Sequence, residues 1–229
     1  MKVEIYSDVV CPWCYIGERR FARALAAFPQ ADRVDVVYRS YQLDPEAPAQ
    51  AMPLKQYLAG RYGAQVESML ARATENAAAE GIVMDWDRAL VVNTLMAHRL
   101  LGLAEREYGA EVQRALSEKL FEAHFTRGID VADHERLADL AASVGMDRER
   151  VQAYLASDEG LAETREALAQ ARRIGVRAVP TFVFDGQYAV EGAQPASVFL
   201  QVLEEVASRN ASGEAGSADD ACADGACVV

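Results

Sequence analysis

Basic residues are scarce in this chain. Lysine and arginine number 23 against 35 aspartates and glutamates, a formal net charge of −12 over 229 residues. A nucleic-acid or anionic-membrane partner needs a basic face, so neither is expected. Long apolar runs are missing too: none approaches the roughly 20 residues of a membrane-spanning helix. An apolar leader is also not visible, because Glu4 and Asp8 interrupt the stretch it would need and strand character begins at Val3. The expected location is the cytoplasm. Cysteine is sparse, with four residues in two close pairs, Cys11/Cys14 and Cys222/Cys227. That is too few for a disulfide scaffold, and in a reducing compartment such pairs are more often catalytic or metal-binding. No internal repeat is present. The remaining composition, 51% hydrophobic and 25% charged, is that of a globular protein long enough for one large domain or a domain with an insertion.

The informative residues are Cys11-Pro12-Trp13-Cys14. They follow a strand-like run, Val3 to Tyr6, and open a helix-like run ending near Phe28. Cys11 takes the cap position and Pro12 the first helical position, where a missing N–H costs nothing. The positive end of the helix favours a thiolate on Cys11. Cys11 is therefore the expected exposed nucleophile, and Cys14, one turn inside, the resolving thiol. Trp13 is expected on the substrate-binding face. Its indole adds no positive charge between the cysteines, unlike a histidine, which predicts a less oxidising couple. The competing reading is zinc, since a CxxC supplies half a tetrahedral site. No second close ligand pair follows at zinc-finger distance, and His98, His124 and His134 are scattered. Only the tail pair could complete such a site, so no metal is expected.

Residues 3–8 read as a buried strand, 12–28 as a helix and Val34 to Leu43 as a second strand. From about Pro53 the texture becomes Ala, Leu, Glu and Arg at helical spacing. Asp133 and Asp147 are candidate caps, and Gly145 and Gly175 candidate stops. Val179 to Phe184 and Tyr188 to Val190 read as a hairpin turned at Asp185-Gly186. A last helix is expected to end near Ser208. Residues 209–229 read as a flexible acidic tail carrying Cys222 and Cys227. That pair is either a tethered redox shuttle at high effective concentration or an incidental dithiol. His98, Asp8, Trp86 and Tyr15 could bear on the site, but packing or strand-ending roles are the simpler reading for each.

These residues resemble the DsbA superfamily of thioredoxin-fold proteins, and within it the cytoplasmic FrnE-type oxidoreductases. The resemblance spans residues 1 to about 208. It rests on Ser7-Asp8-Val9-Val10 before the CPWC motif and Tyr15-Ile16-Gly17 after it, Asn93-Thr94, Ala97 to Leu100, Leu120 to Ala123, Gly175 to Val183, and Gly192 to Pro195. It implies an α/β thioredoxin fold, residues 1–50 and 175–208, interrupted by an all-helical insertion, residues 51–174. It implies a cis Pro180 beside Cys11, with the Val179 backbone offered to an extended substrate by strand addition. It also implies a groove between the two parts and activity as a protein disulfide oxidoreductase or isomerase on protein or peptide thiols. A redox partner is implied and no cofactor beyond the dithiol, with glutathione a possible co-substrate. A cytosolic poise of about −220 to −320 mV would favour net reduction or isomerisation. Two other readings stay open. Kappa-class glutathione transferases and 2-hydroxychromene-2-carboxylate isomerases share the architecture, but generally use a serine or a glutathione thiol in place of paired cysteines. A non-catalytic, chaperone-like binding module is the third.

Overall fold

The structure, a computed structural model, describes residues 1–48 and 50–219, with side chains as far as 211. Strand β1 (Lys2–Ser7), helix α1 (Pro12–Ala27) and strand β2 (Asp35–Ser40) form the opening βαβ unit, with β1 and β2 parallel and Ile5 opposite Tyr38. Strands β5 (Thr181–Phe184) and β6 (Tyr188–Glu191) return as an antiparallel hairpin, and Phe182 of β5 lies opposite Ile5. The resulting sheet has the order β2-β1-β5-β6. Asp185 and Gly186 both take positive φ, 49° and 68°, as the sequence Asp-Gly favours at a hairpin tip. The Asp185 carboxylate accepts the Lys2 N–H at 2.6 Å, which ties the hairpin to the start of β1.

One face of the sheet is closed by α1 and by α9 (Ala196–Asp219), through Val3, Ile5, Phe21, Phe182, Phe184, Phe199 and Leu203. On the other face Tyr6 meets Ala171 and Val176, at the end of the helical block. That block holds α2 (Leu54–Tyr62), α3 (Gln65–Ala78), α4 (Leu95–Tyr108), α5 (Ala110–Phe121), a π turn (Glu122–Thr126), α6 (His134–Ser143), α7 (Arg148–Ala156) and α8 (Leu161–Arg173). Its own core gathers Leu100, Leu103, Leu116, Leu120, Leu137, Val151 and Tyr154. Asp133 and Asp147 cap α6 and α7: each side chain accepts the N–H three residues on, from Arg136 and Arg150, both at 2.8 Å. The chain therefore has a thioredoxin-like sheet interrupted by a largely helical insertion.

Three details differ from the sequence reading. The insertion is not all-helical, because Met52–Pro53 (β3) and Leu90–Val91 (β4) pair as a two-residue antiparallel ladder. Strand β2 ends at Ser40, not Leu43. The Leu43 N–H turns instead to the Asp8 carboxylate at 2.8 Å, and the Gln42 amide donates to Asn93 and Thr94 of the insertion. The last helix passes Ser208 and continues to Asp219, so the expected flexible tail is helical over its first part. No proline interrupts it, and Asn210 donates to Asp185 at 2.8 Å. Cys222 and Cys227 lie outside the described residues. Among the described residues no helix is long and apolar enough to cross a membrane.

Candidate active site

Strand β1 and helix α1 meet at the cysteines. The Cys11 N–H donates to the Asp8 carbonyl at 2.9 Å, which closes a turn between them. Cys11 is extended (φ −95°, ψ 112°) and caps α1 with its backbone, while its thiol makes no cap bond. The first turn of α1 holds no acidic residue, so nothing within the helix neutralises its positive end. The thiol instead donates to the carbonyl of Val179 at 3.7 Å, across 168 residues of sequence. The Val179–Pro180 peptide is cis. Gly17 lets this loop approach: a methyl group there would sit 2.9 Å from the Pro180 ring.

Cys11 is only 4% exposed, against the expectation of an open nucleophile. The insertion supplies the reason. Cys11 and Cys14 share an apolar cluster with Phe121 and Phe125, edged by Trp13, Met84, Trp86 and Val179. Tyr15 stacks on Phe121 with ring centres 5.0 Å apart, and Trp86 meets Phe125 edge-on, so both serve packing. Trp13 lies at the rim, and the Arg72 guanidinium of α3 sits 5.3 Å from its ring centre. The positive charge that the indole lacks is thus supplied from another element, which no local signal announced.

Cys14 is fully buried. Burial, then contact with Cys11, holds its thiol well above the ordinary cysteine range, while the Asp8 N–H and the Ser7 hydroxyl pull the other way. Asp8 is a junction rather than a strand end. Its backbone serves both cysteines, and its carboxylate faces Leu43 N–H and His98 Nε2, the latter at 3.3 Å. His98 is a core histidine. His134, first residue of α6, is exposed.

His124 was not singled out by sequence, yet it is fully buried in the π turn and packs edge-on to Phe125 at 4.6 Å. Neither ring nitrogen has a partner among the described residues. Burial pushes its pKa down to about 4, against the weaker opposing pull of Asp8. The folded protein therefore holds this imidazole neutral where the unfolded chain would take a proton. Stability linked to His124 is complete above about 6.5 and falls as pH drops towards 4, by at most about 3 kcal/mol. Urea unfolding at pH 7 and pH 4.5 should show a smaller acid loss for His124→Leu than for the natural chain. An equal loss in both would disprove the assignment.

Comparison with known proteins agrees with this fold. The chain is 39% identical to a probable DsbA oxidoreductase from Streptomyces coelicolor, covering 90% of this chain and 89% of that one, with a TM-score of 0.82. Cytosolic disulfide reductase DsbM from Pseudomonas aeruginosa, solved with GSH, aligns over 90% of this chain and 98% of its own with a TM-score of 0.62. At 18% identity that likeness carries the fold alone. YwbO of Bacillus subtilis (strain 168), itself uncharacterised, is 24% identical over 216 residues, 90% of this chain and 96% of that protein. The match to the DSBA-like thioredoxin domain runs from residue 2 to residue 204, through both halves of the sheet, the helices between them and the two cysteines, and the chain belongs to that family.

Proposed function

We propose that the protein is a thiol–disulfide oxidoreductase of FrnE type, exchanging electrons with protein or peptide thiols through Cys11 and Cys14. The observation that carries this reading is the Cys11 thiol at a helix N-terminus, 3.7 Å from the Val179 carbonyl and backed by a second, buried thiol. The Cys11 thiolate attacks one sulfur of a substrate disulfide. The new bond joins Cys11 to substrate, and the other substrate sulfur leaves as a thiolate. Cys14 then attacks Cys11, a Cys11–Cys14 disulfide forms and the second substrate sulfur leaves. Two electrons have passed to the substrate, and the reverse sequence oxidises it. Isomerisation uses the first step alone, with another substrate thiol releasing Cys11.

The Val179 carbonyl suits an extended chain laid beside it, since a substrate N–H could replace the Cys11 thiol as its donor. The dithiol is the only redox group the chemistry needs. A cytoplasmic setting with a small thiol such as glutathione as redox partner suits a chain whose sparse cysteines include a redox-competent pair. The test is trapping, in a Cys222→Ser, Cys227→Ser background so that the tail pair cannot form the adduct. Cys14→Ser, mixed with an oxidised peptide carrying one disulfide, should accumulate a covalent protein–peptide adduct that dithiothreitol releases and mass spectrometry detects. The Cys11→Ser, Cys14→Ser double variant should give none. An adduct in the double variant, or no adduct in Cys14→Ser, overturns the reading.

A further inference from the structure

Arg20 lies on α1 one turn beyond Gly17, so the two share a face of the helix. Its side chain is 14% exposed, and each of its three nitrogens has an acceptor of its own. Nη1 donates to the Ala193 carbonyl at 2.7 Å, Nη2 to Asn76 Oδ1 at 2.9 Å and Nε to Glu80 Oε1 at 2.9 Å. Asn76 belongs to α3 and Glu80 follows that helix, so two of the acceptors come from the insertion. Ala193 sits in the turn after β6 and is tied to the substrate side of the cysteines. The neighbouring Gly192 N–H donates to the Pro180 carbonyl at 2.8 Å. A methyl group on Gly17 would lie 2.9 Å from the Pro180 ring and 3.4 Å from Ala193 Cα, so this turn and the Val179–Pro180 loop press on α1 together. Val179 and Ala193 both pack against the cysteine cluster, and the Val179 carbonyl accepts the Cys11 thiol.

We propose that Arg20 is a positioning residue: it fixes where the Val179 carbonyl stands for an incoming substrate chain and couples that position to α3. The proposal rests on the thiol-exchange reading above. Arg20 meets neither sulfur in the described contacts, so it acts through the turn at 192–193. A guanidinium holds its donors in one rigid plane and can fix three acceptors relative to one another, which a lysine ammonium on a flexible stem does not. Without it the Ala193 carbonyl loses its hold on α1 and α3. The turn, and with it Pro180 and Val179, is then free to shift against Cys11. The same α3 carries Arg72 to the Trp13 ring, so both rims of the dithiol take their position from one helix. A substrate that adds as a strand reads the Val179 backbone and feels such a shift. A small disulfide that meets only the Cys11 sulfur does not.

The test compares two substrates, an extended peptide carrying one disulfide and hydroxyethyl disulfide, with dithiothreitol as reductant. All proteins carry Cys222→Ser and Cys227→Ser, so the tail pair contributes nothing. Arg20→Met keeps the apolar stem and removes the donors. Its KM for the peptide should rise about 10-fold, with kcat within about two-fold of the natural residue's. Its kcat/KM for hydroxyethyl disulfide should stay within about two-fold. Arg20→Lys keeps the charge beside Glu80 but cannot hold Ala193 and α3 at once, and its peptide KM should rise about 3-fold. A purely structural arginine would lower the rates with both substrates together. Should Arg20→Met not fold, Arg20→Lys decides the matter. Equal losses with the two substrates, or an unchanged peptide KM in a folded variant, overturn the proposal. A protein with Arg20 in place that turns over neither disulfide would instead overturn the function it rests on.

Discussion

Cys11→Ser lowers the turnover of a peptide disulfide by on the order of 10³-fold or more, equivalent to ~4 kcal/mol in the barrier. The size of the expected loss follows from what remains. A serine hydroxyl at the same helix mouth is not ionised by the helix dipole at neutral pH, so the favourable field has no anion to act on. Cys14 cannot replace the missing sulfur. It is fully buried, and burial holds it as a thiol well above the ordinary range. The substitution removes one sulfur at a position whose side chain has two polar neighbours, the Val179 carbonyl and the Cys14 thiol, both of which a serine hydroxyl can still meet. Folding should therefore survive, and the loss should be chemical. Insulin reduction with a limiting thiol reductant measures it, and thermal unfolding serves as the control. Residual turnover above about one-tenth would point to a binding module or a glutathione-linked reaction that does not need this sulfur.

Much of this site was legible because its signals are local. A strand, a CxxC and a proline at the first helical position fix where α1 begins, and the structure starts it at Pro12. Val179-Pro180 before a hairpin with Asp185-Gly186 at its tip was enough to place the second half of the sheet. Asp133 and Asp147 announced their helices because a cap needs only the next three residues. What was not legible depends on distant partners. Arg20 reads as one more charged residue in Gly17-Glu18-Arg19-Arg20, and its anchoring is decided by Asn76 and Ala193, 56 and 173 positions away. Cys11 reads as exposed until Phe125 and Trp86 close over the cluster from the insertion. Arg72 reaches Trp13 from α3 with no trace in the motif itself. The β3–β4 ladder is two residues long, below the length at which alternation can be recognised.

The largest stability effect is expected far from the cysteines, at Arg99 of α4. This side chain is 2% exposed and pairs with no carboxylate among the described residues. One terminal nitrogen donates to the carbonyls of Tyr154, Ser157 and Glu159, at 3.1, 2.8 and 2.7 Å, and the guanidinium carbon lies 5.0 Å from the centre of the Tyr154 ring. These carbonyls gather where α7 ends and the chain turns towards α8. The negative end of a helix and its acceptors thus receive a buried cation. Arg99→Met roughly keeps the volume but removes the donor that the three carbonyls share, the Tyr154 carbonyl alone of them keeping the Ser157 N–H and hydroxyl in the described contacts, at an expected cost of about 3–5 kcal/mol. Arg150 makes a useful contrast. It holds Glu107 and Glu159 at 2.7 and 2.6 Å, no longer than any bond Arg99 makes to its carbonyls, yet its side chain is 31% exposed. Exposed pairs are worth about 0–1 kcal/mol, so Arg150→Met should cost less than about 1 kcal/mol despite its short bonds. Urea unfolding of the two variants side by side measures the difference. Equal costs would mean that the α7–α8 turn finds other donors when Arg99 is lost, and that burial is not what sets the strength of this contact.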